Sequence, residues 1–275
     1  MILGNRLRIL LILAIFNVPN LVAAETLVFI QGYLGSAENW HDSGVTASLE
    51  AAGWADGGRL FLTPRGVQAS LGKNRTPKTF FTLDLPTQAP LLIQSRSLEQ
   101  FLVYLRKWYP DNSLVLVGHS AGGVLGRLYM VQHPDSNVAA LITIASPHRG
   151  TESAEVGLLA GQSPLAWLGP MMGIDTLNRS QGLYHDLMRE QPNNLLGWLN
   201  YQPHPPASYI SIVHDGGNQM LGLGELIVPA WSQDMNQVPA LRGRAQTIRS
   251  QGGHALNSDD GRILVKLLNR LFHRT

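Results

Sequence analysis

Apolar residues along this chain fall into two rhythms. Short runs rich in β-branched and aromatic side chains occur at residues 26–30, 113–117, 139–144, 209–213 and 246–250. Continuous runs of that length fit strands of a parallel sheet buried on both faces. Between them lie stretches with apolar positions at helical spacing. Residues 91–108 show a stripe through Leu92, Leu98, Phe101, Leu102 and Leu105 that stops at Pro110. Residues 45–52, 124–133 and 263–272 read as further helices. Of residues 60–62 and 80–83, one is a candidate strand, with a loop expected between the two segments. Strand and helix alternate throughout, which predicts an α/β fold with a doubly wound, mostly parallel sheet and helices on both faces.

One interval breaks the rhythm. From Gly150 to Pro206 no good strand appears, while Gly, Pro, Met and Trp are dense, as in Leu165-Ala166-Trp167-Leu168-Gly169-Pro170-Met171-Met172. A long insert in such a fold sits above the strand C-termini. Residues 151–206 are therefore expected to form a helical cap or lid, either mobile or packed for stability alone.

The N-terminus reads as an export signal. Arg6 and Arg8 precede the apolar run 9–16, Pro19 and Asn20 break it, and Val22-Ala23-Ala24 offers small residues before a cut at Glu25. The run is short for a membrane span, which needs about 20 residues. The expectation is a signal peptide over 1–24, a single domain over 25–275, and a secreted or periplasmic protein. Loss of Arg6 and Arg8 would remove the excess of 21 basic over 19 acidic residues, so the charge gives no argument for nucleic acid. The chain has no cysteine, which excludes disulfides, lipoprotein anchoring and cysteine-based metal or nucleophile schemes.

The chemistry concentrates at Gly118-His119-Ser120-Ala121-Gly122. A strand before it and a helix after it make this Gly-x-Ser-x-Gly a nucleophile elbow, with glycines where the turn leaves no room for a side chain. A serine hydroxyl needs a base within hydrogen-bonding reach, oriented in turn by a carboxylate. Of nine histidines, His254 lies after the last strand and before the last helix, where it can look back at Ser120. The acid is expected between them: Glu225 first, Asp215 as the main alternative, and Asp234 third. Two N–H donors should hold the oxyanion, one from Ala121 and one from Tyr33 in the turn Gln31-Gly32-Tyr33.

Together these residues resemble the α/β-hydrolase superfamily and, within it, secreted bacterial triacylglycerol lipases and esterases. Residues 28–33 match the oxyanion strand and Ser120 the nucleophile. Ser146-Pro147-His148-Arg149-Gly150-Thr151 matches the Pro-His-x-Gly segment, 225–229 the acid segment with glutamate for aspartate, and His254 the base. The resemblance implies a lid after Thr151, an ester or lipid substrate with an acyl chain, and contact between lid and lipid interface. Two positions depart from the pattern. Gln31 stands for the histidine of the usual His-Gly pair. Leu256 stands where those lipases carry a calcium-binding aspartate, so neither metal nor cofactor is expected. The reading is a carboxylic ester hydrolase acting through an acyl-enzyme. An acyltransferase on the same scaffold, or an inactive hydrolase-fold binding protein, are the alternatives.

Overall fold

A computed structural model describes residues 24–71, 76–155, 178–216 and 228–272. The leader, apart from Ala24, much of the cap insert and Glu225 lie outside these residues. The eight strands form one sheet in the order β3-β2-β4-β1-β5-β6-β7-β8. β1 is Glu25–Ile30, β2 Ala55–Thr63, β3 Gly66–Ala69, β4 Lys78–Leu83, β5 Ser113–His119, β6 Val138–Ile144, β7 Ser208–His214 and β8 Ala245–Ser250. Every pairing is parallel except β2 with β3. From β1 the chain lays β2 and β3 toward one edge, returns as β4 between β2 and β1, and then crosses to β5 on the other side. The crevice where connections diverge therefore opens at the C-terminal ends of β1 and β5.

Alternation along the central strands sorts side chains onto two faces. Val28 and Ile30 of β1, with Leu114 and Leu116 of β5, join one core. Leu27 and Phe29, with Val115 and Val117, join the other. The first face is covered by helix α3 (Leu91–Trp108), through Leu98, Phe101, Leu102 and Leu105, and by helix α4 (Ala121–Gln132). The second is covered by α2 (Val45–Ala51) and a C-terminal helix, Ser258–Phe272, here α8. Helix α1 (Asn39–Asp42) adds Trp40 to that core.

Three features depart from the sequence expectation. Both segments, not one, are strands, and the stretch between them is not all loop, because it holds β3, a short antiparallel edge strand. The strand beside it, β2, carries Gly57 and Gly58 at a bulge. A β-carbon on Gly57 would lie 2.3 Å from the Phe81 ring, and Gly58 adopts φ +90°. These glycines interrupt the apolar alternation that marks a strand. The last helix begins at Ser258 rather than 263, since Asn257 Oδ1 accepts the Asp259 N–H and Asp260 Oδ2 accepts the Asn257 N–H. Acidic capping residues extend a helix ahead of its apolar stripe. In the described part of the insert, helices α5 (Gln181–Leu187) and α6 (Leu195–Leu199) pack on the first core through Leu183, Tyr184, Leu187, Leu196 and Leu199. Asp186 of α5 accepts the Leu91 N–H at 2.7 Å and so caps α3, while a short helix α7 (Ala230–Gln233) follows Pro229.

Candidate active site

Ser120 sits between β5 and α4 with φ 51° and ψ −128°, a left-handed conformation costly for a side-chain-bearing residue. Crowding explains why its neighbours are glycine. A β-carbon on Gly122 would lie 2.3 Å from the Ile30 carbonyl oxygen, and one on Gly118 would lie 2.5 Å from the Gly123 backbone. The N-terminus of α4 thus presses directly against the end of β1. The Ser120 N–H is fixed by the Ile144 carbonyl of β6 at 2.9 Å, which ties the turn to the C-terminal end of the neighbouring strand.

His254 arrives from the loop between β8 and α8. Its Nε2 lies 3.0 Å from Ser120 Oγ. Burial, followed by the positive charge of His214, pushes the His254 imidazole down to about 4, so the ring is neutral and able to accept a proton at neutral pH. His119, beside the serine in sequence, does not compete for it. Its Nε2–H donates to the His254 carbonyl oxygen at 2.9 Å, and burial holds it near 3.

The expected oxyanion donors belong to segments that lie beside Ser120. The Tyr33 and Ala121 N–H groups have no acceptor among the described residues. Gly32 packs so close that a β-carbon there would lie 2.7 Å from Ser120 Cβ. Tyr33 is itself steadied by a 2.5 Å hydrogen bond between its hydroxyl and that of Tyr184 on α5. Around Ser120 and His254 opens a cavity of about 550 Å³, lined also by Gln31, Gly32, Tyr33, Leu34, Asn39 and Leu256.

The acid side is different. Glu225 lies outside the described residues. Asp215 is held by Arg249 of β8, with Nη1 2.8 and 3.0 Å from its two oxygens. Asp234 accepts the Asn236 N–H and the Thr247 hydroxyl. Among the described residues, His254 Nδ1 has no hydrogen-bond partner. No group of three or more metal-ligating side chains occurs among them either.

His148, from the Pro-His-x-Gly segment, is buried away from Ser120 and bonds Thr143 Oγ1 at 3.0 Å. Burial and then the charge of Arg127 keep it well below the ordinary histidine range. Its role here is to tie the segment after β6 to the sheet. Sequence reasoning did not find the buried contact of His214 with Asp260 beneath the base loop. Its trace is a histidine ending a strand and an aspartate in the first turn of the last helix.

With the site assembled, likeness to known proteins can be placed on it. Residues 22–156, spanning β1 to β6 with the Tyr33 turn and the elbow, match the family model described as a PGAP1-like alpha/beta domain. No curated protein matches the chain. Among solved structures, the product of gene lin2722 from Listeria innocua superposes with a TM-score of 0.56 at 15% identity, covering 91% of this chain and 94% of the other. The mature form of lipase BlEst2 from Bacillus licheniformis gives 0.54 at 17% identity, covering 91% and 93%. A lipase-esterase related protein from Clostridium acetobutylicum gives 0.50 at 13% identity, covering 90% and 95%. The sheet order, the strained serine and these likenesses agree on one fold, that of the α/β hydrolases.

Proposed function

We propose that this protein is a serine hydrolase that cleaves carboxylic esters, with acyl lipids as the substrate class. The observation that carries this reading is the 3.0 Å approach of His254 Nε2 to a Ser120 hydroxyl held at φ 51° beside two N–H groups without acceptors. In the reaction, Ser120 Oγ attacks the ester carbonyl carbon as its proton passes to His254. The Tyr33 and Ala121 N–H groups receive the negative oxygen of the tetrahedral intermediate. His254 returns the proton to the departing alcohol, leaving an acyl-enzyme. Water, deprotonated by the same histidine, then releases the acid and restores the serine.

Glu225 is the proposed acid that faces the imidazole from Nδ1, since Asp215 is occupied by Arg249 and Asp234 by a helix cap. Leu34, Leu256 and the aromatic Tyr33 give the cavity an apolar flank suited to an acyl chain. Trp198 and Tyr201, exposed at the end of α6, support contact of the insert with a lipid interface. The leader supports export, and among the described residues no helix is long and apolar enough to cross a membrane. A cut before Glu25 would cost one bond of the sheet edge, that from the Ser113 N–H to the Ala24 carbonyl.

The test is turnover of a series of p-nitrophenyl esters of increasing chain length. Ser120→Ala should abolish it, Glu225→Gln should lower kcat by orders of magnitude, and the profile should rise toward longer chains. Undiminished turnover by Ser120→Ala would refute the nucleophile.

A further inference from the structure

The loop that carries the base contains Gly252-Gly253, of which Gly252 packs on Asn257 and His214 while Gly253 is open. A β-carbon on Gly253 would meet nothing within 4 Å. Such a loop has wide conformational freedom unless its backbone is tied. Three consecutive carbonyls are tied. Gly252 accepts the Gly216 N–H at 3.1 Å, Gly253 accepts from His214 Nδ1 at 2.5 Å, and His254 accepts from His119 Nε2 at 2.9 Å. The middle tie leads to a buried pair that the hydrolytic steps leave unused. His214 is the last residue of β7 and Asp260 lies in the first turn of α8, with side chains 2% and 0% exposed. His214 Nε2 is 2.8 Å from Asp260 Oδ1.

A carbonyl and a carboxylate can only accept, so both ring nitrogens of His214 must carry protons and the ring is an imidazolium. Burial alone pushes His214 down most strongly. The hydrogen bond and charge of Asp260, with the Gly253 carbonyl and Asp215 adding to them, outweigh it and raise the group.

We infer that His214 and Asp260 are a positioning pair for the base, a buried imidazolium–carboxylate bond that holds the Gly253 carbonyl, and with it His254, at the distance of Ser120. The inference rests on the Ser120–His254 reading. The pair does more than fix geometry. Among the described residues, the titratable groups facing His254 are His214 from β7 and His119 from β5, and the proposed acid Glu225 would add a carboxylate at Nδ1 in wild type and variant alike. Asp260 of α8 is bonded to the far nitrogen of His214, and Asp215 is taken up by Arg249 of β8. A fixed positive charge at His214 therefore opposes protonation of His254 and keeps the base free. Asp260→Asn separates charge from shape. A neutral His214 can still donate from Nδ1 to Gly253 and accept at Nε2 from the new amide, yet the positive charge is gone.

The experiment compares pH profiles of kcat/KM for one p-nitrophenyl ester in the wild type, Asp260→Asn, His214→Gln and Ser120→Ala. It is joined by 15N NMR of the wild-type imidazoles, a readout independent of whether any variant folds. His214 should carry protons on both nitrogens at pH 7.5. Asp260→Asn should move the acid limb upward by on the order of half a unit or more. It should lower kcat roughly tenfold with KM nearly unchanged. His214→Gln should lose more. A singly protonated His214 in the wild type, or an Asp260→Asn profile that overlays the wild type while Ser120→Ala is inactive, overturns the positioning pair alone. Full turnover by Ser120→Ala overturns the hydrolytic reading and the pair together.

Discussion

Ser120 combines an unfavourable backbone conformation with a buried hydroxyl, and the surrounding atoms show how that strain is kept. Gly32, Gly118 and Gly122 each stand where a single added carbon would meet backbone or the serine itself. Gly32→Ala should therefore displace the turn that supplies the Tyr33 N–H. Loss of one oxyanion donor costs about 10²–10³ in kcat, and that range is expected here with the fold retained by circular dichroism. His254 sets the second residue-scale prediction. Its folded value lies below the ordinary 6.5, so the base-competent neutral form persists as pH falls and is lost only on passing the lowered value, about 4. The acid limb of kcat/KM should accordingly lie below 6.5. A carboxylate at Nδ1 favours the imidazolium, so Glu225→Gln should move that limb further down, as read from rates between pH 3.5 and 8. An unmoved limb would argue against Glu225.

At the scale of elements, the site depends on which segments press against one another. β1 and β5 deliver the oxyanion turn and the nucleophile side by side, and α5 reaches over to both α3 and Tyr33. Removing the Tyr184 hydroxyl leaves the Tyr33 turn without that anchor. Tyr184→Phe should cost about 1 kcal/mol of stability by urea unfolding and lower kcat more than it changes KM. The same elements divide what the sequence made legible from what it did not. β1, β5, β6 and β7 were readable because strands buried on both faces are continuous apolar runs, and α3 because its stripe is regular. The first half of β2 was hidden by the Gly57-Gly58 bulge, and β3 by the exposure of an edge. The start of α8 was hidden by polar caps. Ser120 and His254 were legible because the elbow is a local motif and chain order narrows the base. The pair of His214 and Asp260 was not, since a buried contact across 46 positions leaves no periodic trace.

Over the whole molecule, two cores on either side of one sheet make the site possible. The proposed nucleophile and base are 134 positions apart in the chain. One core carries α3 and α4 and so places Ser120. The other carries α2 and α8 and so anchors the loop of His254 from the opposite face. The proposed reactivity at Ser120 is thus a property of the assembled fold rather than of the elbow alone. The most direct measurement is labelling of the native protein with a fluorophosphonate, with the adduct located by peptide mass spectrometry. The account predicts a single adduct on Ser120, sharply reduced in His254→Ala and lost as urea unfolds the chain. Labelling elsewhere, or a Ser120 adduct forming equally fast without His254, would contradict it.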